Sequence, residues 1–111
     1  MTAGGGADKL RVGVVIPNNT TDGVSVPAGE IFRYVERAEE LGLDSVWTIE
    51  HFFAAPPSYR MSRFDPLTTL AAVAARTERI GIGTAVLLLP LYNPIYIAKM
   101  AATIEIGRAH V

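Results

Sequence analysis

The sequence contains no cysteine. That excludes a disulfide framework and a thiolate metal site, and it suits a reducing compartment. Histidine is scarce too: His51 and His110 are the two present. A catalytic zinc takes about three protein ligands, so a metal centre fails on ligand count. Neither sign of charge dominates, because ten Lys and Arg against eleven Asp and Glu leave a formal net charge of -1. No basic stripe is available for nucleic acid or for an anionic membrane surface. Long apolar runs are also missing. The most hydrophobic stretch, Ile80 to Ala101, is interrupted by Pro90, Asn93 and Pro94, whereas a spanning helix takes about 20 unbroken apolar residues. Residues 1–9 are small, Gly-rich and polar, without the apolar core of a signal peptide. They read as a disordered tail on a cytoplasmic protein.

What is present is globular. Half of the 111 residues are hydrophobic and 19% are charged, which fits one small domain. Leu10 to Ile16 is a β-branched run closed by Pro17-Asn18-Asn19, and it reads as a strand buried on both faces. From Glu30 to Leu41 the period changes to that of a helix. Ile31, Val35, Ala38 and Leu41 share one face, and Gly42 is placed to close it. Ser45 to Ile49 is a second strand. A loop from Glu50 to Phe64 follows, and Asp65-Pro66 then gives a cap and an N1 proline for a helix to Thr77. Ile80 to Leu89 reads as a third strand. Asn93-Pro94 repeats the cap-plus-proline device before a helix toward Ile104. Three strand–loop–helix units in succession imply a parallel sheet with right-handed crossovers. Periodicity leaves an open doubly wound sheet and a barrel both standing. The long first strand-to-helix turn has no G-x-G-x-x-G, which leans toward the barrel.

In either architecture, chemistry gathers at the C-terminal ends of the strands. Those ends are Pro17-Asn18-Asn19, Glu50-His51 and the segment from Thr84 to Leu89. His51 carries a group that titrates near neutrality and can move a proton, or it can tie down its own loop. Strand neighbours point to opposite faces, so Glu50 and His51 need not act together, and His51 is the better cavity residue. Asn18 and Asn19 can donate to a polar ring edge, or can serve turn chemistry alone. Phe52, Phe53, Tyr59 and Phe64 can wall a planar ligand or pack their own loop. Small residues at Thr84-Ala85-Val86 allow close approach of a ligand or a bulge.

Four blocks then carry a resemblance: A-E-E-L-G-L-D-S-V-W-T-I-E-H at 38–51, D-P-L-T-T-L-A-A-V-A-A-R-T-E-R-I at 65–80, G-T-A-V-L-L-L-P at 83–90 and N-P-I-Y-I-A-K-M-A-A-T-I at 93–104. In this order and spacing they resemble the luciferase-like monooxygenase superfamily. The resemblance implies an α/β fold in which residues 10–104 are the first three βα units of a (β/α)₈ TIM barrel. It implies an oxidoreductase or monooxygenase that binds FMN or coenzyme F420 at the barrel mouth and acts on a small molecule, with or without O₂. It further implies that the parent is a homo-oligomer, commonly a dimer. His51 matches the family's active-site histidine. Ala85-Val86, beside Thr84, matches a bulge where members carry a non-prolyl cis peptide behind the cofactor ring. Asn18 matches a cofactor-pocket position, and Glu50 and Phe52 flank the substrate side.

Such barrels run to about 250 residues, so three units are expected to be an inactive N-terminal fragment. A non-catalytic flavin-binding or subunit-partner protein of the same fold is the alternative, and retention of His51 favours the enzyme. After Ile104 the family pattern stops. Glu105-Ile106-Gly107-Arg108-Ala109-His110-Val111 is the translation of a common library adapter, so residues 105–111 are expected to be a non-native read-through tail.

Overall fold

The computed structural model describes residues 8–18, 26–51 and 63–109. Asn19, Phe52, Phe53, Tyr59 and His110, all named above, lie outside the described residues. The elements in chain order are β1 (Gly13–Val15), α1 (Ala28–Glu40), β2 (Ser45–Thr48), α2 (Pro66–Arg76), β3 (Gly81–Thr84), a 3₁₀ turn (Leu89–Leu91) and α3 (Pro94–Ala109).

The three strands form one sheet in the order β1-β2-β3, and both pairings are parallel. Each strand-to-strand connection crosses through a helix, as a parallel pair requires. α1 forms because Ile31, Val35 and Ala38 recur on one face and become its buried stripe; Leu41, expected on that face, is instead the C-cap and is exposed. It ends in a Schellman motif. Gly42 takes a φ of 80°, the Leu43 amide donates to the Ala38 carbonyl at 3.1 Å, and the Gly42 amide donates to the Glu39 carbonyl at 3.0 Å. α2 starts where the Asp65-Pro66 pattern places it, since the Asp65 carboxylate accepts from the Thr68 amide at 2.8 Å. The Asn93 side chain likewise accepts from the Ile95 amide at 2.9 Å at the head of α3.

Alternation along the strands gives the sheet two unlike faces. Val46 is buried against the helices and joins Ile16, Ile31, Val35, Ala38, Leu70, Val73 and Ile80 in a single core. Each such fully buried aliphatic side chain contributes about 1.5–3 kcal/mol. The opposite face, which a closed barrel would turn inward, carries Val15 and Trp47, and both are exposed. The indole lies flat across the sheet. A Cβ built at Gly13 would sit 2.7 Å from Trp47 Nε1, and one at Gly83 would sit 2.6 Å from Trp47 Cζ3. Glycine at those two positions is what lets the ring span β1 and β3. Trp47 Nε1 donates to Ser45 Oγ at 2.9 Å.

Several boundaries differ from expectation. The first strand was expected over residues 10–16 and buried on both faces, but it spans Gly13–Val15 with Val15 exposed on the side that the helices do not cover. The third strand was expected to reach Leu89 but ends at Thr84. Beyond it the Ala85–Val86 peptide is cis, and the Leu88 amide donates to a side chain, Glu50, rather than to a strand. The apolar run from Val86 to Leu89 resembles a buried strand only while the contacts of its backbone are unknown. In addition, α3 does not break at Ile104; its helical backbone continues to Ala109.

Candidate functional site

The C-terminal ends of the three strands lie side by side, because the register pairs Val15 with Trp47 and Thr48 with Thr84. Three short segments leave this edge, and side-chain hydrogen bonds lock them together.

The segment after β1 is held by Asn18, which is fully buried. Its Nδ2 donates to the carbonyls of Ile49 at 3.0 Å and Phe64 at 3.2 Å. Its Oδ1 accepts from the Ile49 amide at 3.4 Å. Its own carbonyl accepts from the Phe64 amide at 2.8 Å. Both amide protons are therefore spent inside the chain. Asn18 clasps its own loop to both ends of the connection between β2 and α2, and what it offers a ligand is indirect.

The segment after β2 holds Glu50 and His51, and alternation divides them as expected. Glu50 is buried at 5% exposure, while His51 is exposed. Glu50 Oε2 accepts from the Leu88 amide at 2.7 Å. Glu50 Oε1 accepts from the Tyr92 hydroxyl. Burial, and then the hydrogen bond to Glu50, push the Tyr92 phenol far above its ordinary value, so it stays a protonated donor. His51 opens onto a cleft of about 200 Å³ lined by Glu50, Arg63, Phe64, Asp65 and Pro66.

The segment after β3 begins with Ala85, whose amide donates to the Thr48 carbonyl at 2.8 Å. The cis Ala85–Val86 unit then turns away from the ladder, leaving both residues exposed, with Val86 at 62%. Thr84 goes elsewhere. Paired with the buried Thr48, it lines an apolar cavity of about 410 Å³ between β3, α2 and α3, with Leu67, Leu70, Ile82, Leu87 and Ile97. That cavity is larger than the cleft at His51, but it opens on the helix-covered side of the sheet and holds no proton-transfer group besides Glu105 at its rim.

The structure thus brings His51, Ala85 and Val86 to neighbouring strand ends, with Glu50 and Asn18 beneath them as internal ties. Tyr92 is the participant that sequence reasoning missed. Asn93-Pro94 signals a helix cap, but a phenol six residues past Val86 gives no periodic signal. Among the described residues, no group of three or more His, Asp or Glu is arranged to hold a metal ion. Also among them, no helix is long and apolar enough to cross a membrane.

Three parallel βα units with exposed groups at the C-terminal strand ends are what the first part of a (β/α) barrel looks like. Residues 10–107 match the luciferase-like monooxygenase family, and the chain belongs to that family. It is 42% identical over 80 residues to an F420-dependent glucose-6-phosphate dehydrogenase of Amycolatopsis mediterranei, a match covering 69% of this chain and 23% of that protein. It is 30% identical over 105 residues to the pyrimidine monooxygenase RutA of Allorhizobium ampelinum, covering 86% of this chain and 28% of that protein. Among solved structures it resembles the monooxygenase RslO1 from Streptomyces bottropensis, with a TM-score of 0.66 and 31% identity over 92% of this chain and 32% of that one. It also resembles the FMN complex of the oxygenating constituent of 3,6-diketocamphane monooxygenase from Pseudomonas putida, with a TM-score of 0.64 and 25% identity over 93% and 29% of the two chains. The matches therefore span 23% to 32% of the length of these proteins.

Proposed function

We propose that this chain is the N-terminal part of an oxidoreductase that binds a flavin-type cofactor, coenzyme F420 or FMN, at the C-terminal ends of its strands. The observation that carries this reading is the juxtaposition of an exposed imidazole, His51, with an exposed stretch of small apolar backbone, Ala85–Val86, at adjacent strand ends. A planar heteroaromatic ring needs apolar support on one face and a polar group near its rim, and these residues fit that need. Ala85 and Val86 would support the ring, and His51 would stand beside its reacting edge. When bound, such a cofactor supplies hydride or oxygen chemistry that no side chain of this chain can perform.

The chain's own residues position and protonate. His51 holds or accepts the proton at the substrate atom that gains or loses it. Asn18 acts from below by fixing the Ile49 carbonyl and amide, and so the direction in which the chain delivers His51. Identity favours F420 over FMN, because the F420-dependent dehydrogenase is matched at 42% whereas the structure described as an FMN complex stands at 25%. Cytoplasmic residence is part of the same proposal, since a chain without cysteine asks nothing of an oxidising compartment.

The test is a titration of the complete protein with F420 and, separately, with FMN, followed by fluorescence. Saturable binding of F420 is expected. Binding of neither would overturn the assignment and leave a barrel that serves only as a subunit partner.

A further inference from the structure

Glu50 stands directly before His51, and a buried carboxylate beside a titratable imidazole invites reading as a second proton-transfer group. The hydrogen bonds argue otherwise. Both oxygens are occupied from within the chain, by the Leu88 amide at 2.7 Å and by the Tyr92 hydroxyl. These two donors sit four residues apart on the same stretch, the one that carries the Ala85–Val86 unit away from β3. At its near end that stretch is joined to β2 by the Ala85 amide on the Thr48 carbonyl. Between Leu87 and Tyr92 its remaining backbone bonds are local: Leu89 to Leu87, Leu91 to Leu88 and Tyr92 to Leu89. Local bonds of that kind fix the shape of a turn but not its place on the protein. Leu87 lines the apolar cavity with Leu67 and Leu70, and the two hydrogen bonds to Glu50 add a polar hold from the end of β2.

We propose that Glu50 and Tyr92 are a positioning pair, in which one buried carboxylate on β2's exit grips the β3 exit at two points and so fixes the Ala85–Val86 platform relative to His51. This rests on the reading of the strand ends as a cofactor mouth. Glu50 is then a positioning residue, not a substrate contact, and it acts through the backbone of its neighbours. The pair works because each partner suits burial. The carboxylate accepts two charge-assisted hydrogen bonds, and the phenol, kept protonated by its surroundings, always has a proton to donate.

The experiment uses the complete protein with Glu50→Gln, Tyr92→Phe and the double variant. Tyr92→Phe keeps the ring and its packing, so it serves if Glu50→Gln folds poorly. Amide hydrogen exchange is followed over residues 85–92, with α1 as internal reference, alongside the affinity for F420 and FMN. Each single variant is expected to raise exchange in 85–92 but not in α1. Each is also expected to weaken cofactor binding roughly tenfold, the size of one lost charge-assisted hydrogen bond. The double variant should be no weaker than the poorer single, because both changes break one contact. Faster exchange with cofactor affinity within about twofold of wild type would reduce the pair to a structural tie and overturn the proposal, as would unchanged exchange. If the wild type binds neither cofactor, the functional assignment fails by itself, and the exchange measurement alone decides whether the pair holds the segment.

Discussion

At the N-terminal end of the sheet, the Glu39 carboxylate gathers three consecutive backbone amides, from Glu78 at 3.0 Å, Arg79 at 2.7 Å and Ile80 at 2.8 Å. Asp44 Oδ2 takes the Val12 amide at 2.7 Å. At the C-terminal end, Asn18 and Glu50 do a similar task, gathering the amides and carbonyls of Ile49, Phe64 and Leu88. The means are alike, but the placement is opposite. Glu39 and Asp44 reach in from the exposed rim and close it over, so the strand starts end in satisfied polar groups. Asn18 and Glu50 are buried and hold from beneath, which leaves His51, Ala85 and Val86 outermost. One end is finished for stability. The other leaves groups exposed, on the face where barrels generally carry their chemistry.

Substitutions at the two ends should therefore separate activity from stability. The largest effect is expected from His51→Ala in the complete protein, where kcat/KM should fall by about 10²–10⁴-fold, as for loss of a general acid or base. Its unfolding free energy should stay within about 0.5 kcal/mol, since the side chain is exposed. Full activity in that variant would erase the functional half of the comparison. Next comes Glu39→Ala, which strips three amides of a charged acceptor. Denaturant unfolding should show a loss of about 1.5–3 kcal/mol, with the affinity for F420 or FMN unchanged. A weakened cofactor would mean that the two ends communicate. The smallest effect is expected from Asp65→Ala, which removes the cap of α2 at the wall of the His51 cleft. It should lower stability by about 0.5–2 kcal/mol and raise KM more than it lowers kcat. An effect on kcat alone would place Asp65 in the chemistry instead.

Local signals in the chain were sufficient for most of the fold. The stripe Ile31, Val35 and Ala38, the left-handed Gly42, and the caps at Asp65 and Asn93 are each decided within a few residues, and each stands where its pattern puts it. The site was only partly legible. Alternation along β2 was enough to send Glu50 inward and His51 outward. Nothing local could reveal that Thr84 faces the apolar cavity instead of the mouth, that the third strand stops at Thr84, or that Tyr92 reaches Glu50 across 42 positions of sequence.

By itself the sequence determined the kind and order of the elements, because helix periods, glycine turns and proline caps depend on neighbours in the chain. The tertiary structure alone decided the employment of polar side chains at the strand ends. A buried carboxylate or amide is spent on whichever donors and acceptors surround it. For Asn18 and Glu50 those partners come from segments more than thirty residues away, and only folding brings them within reach.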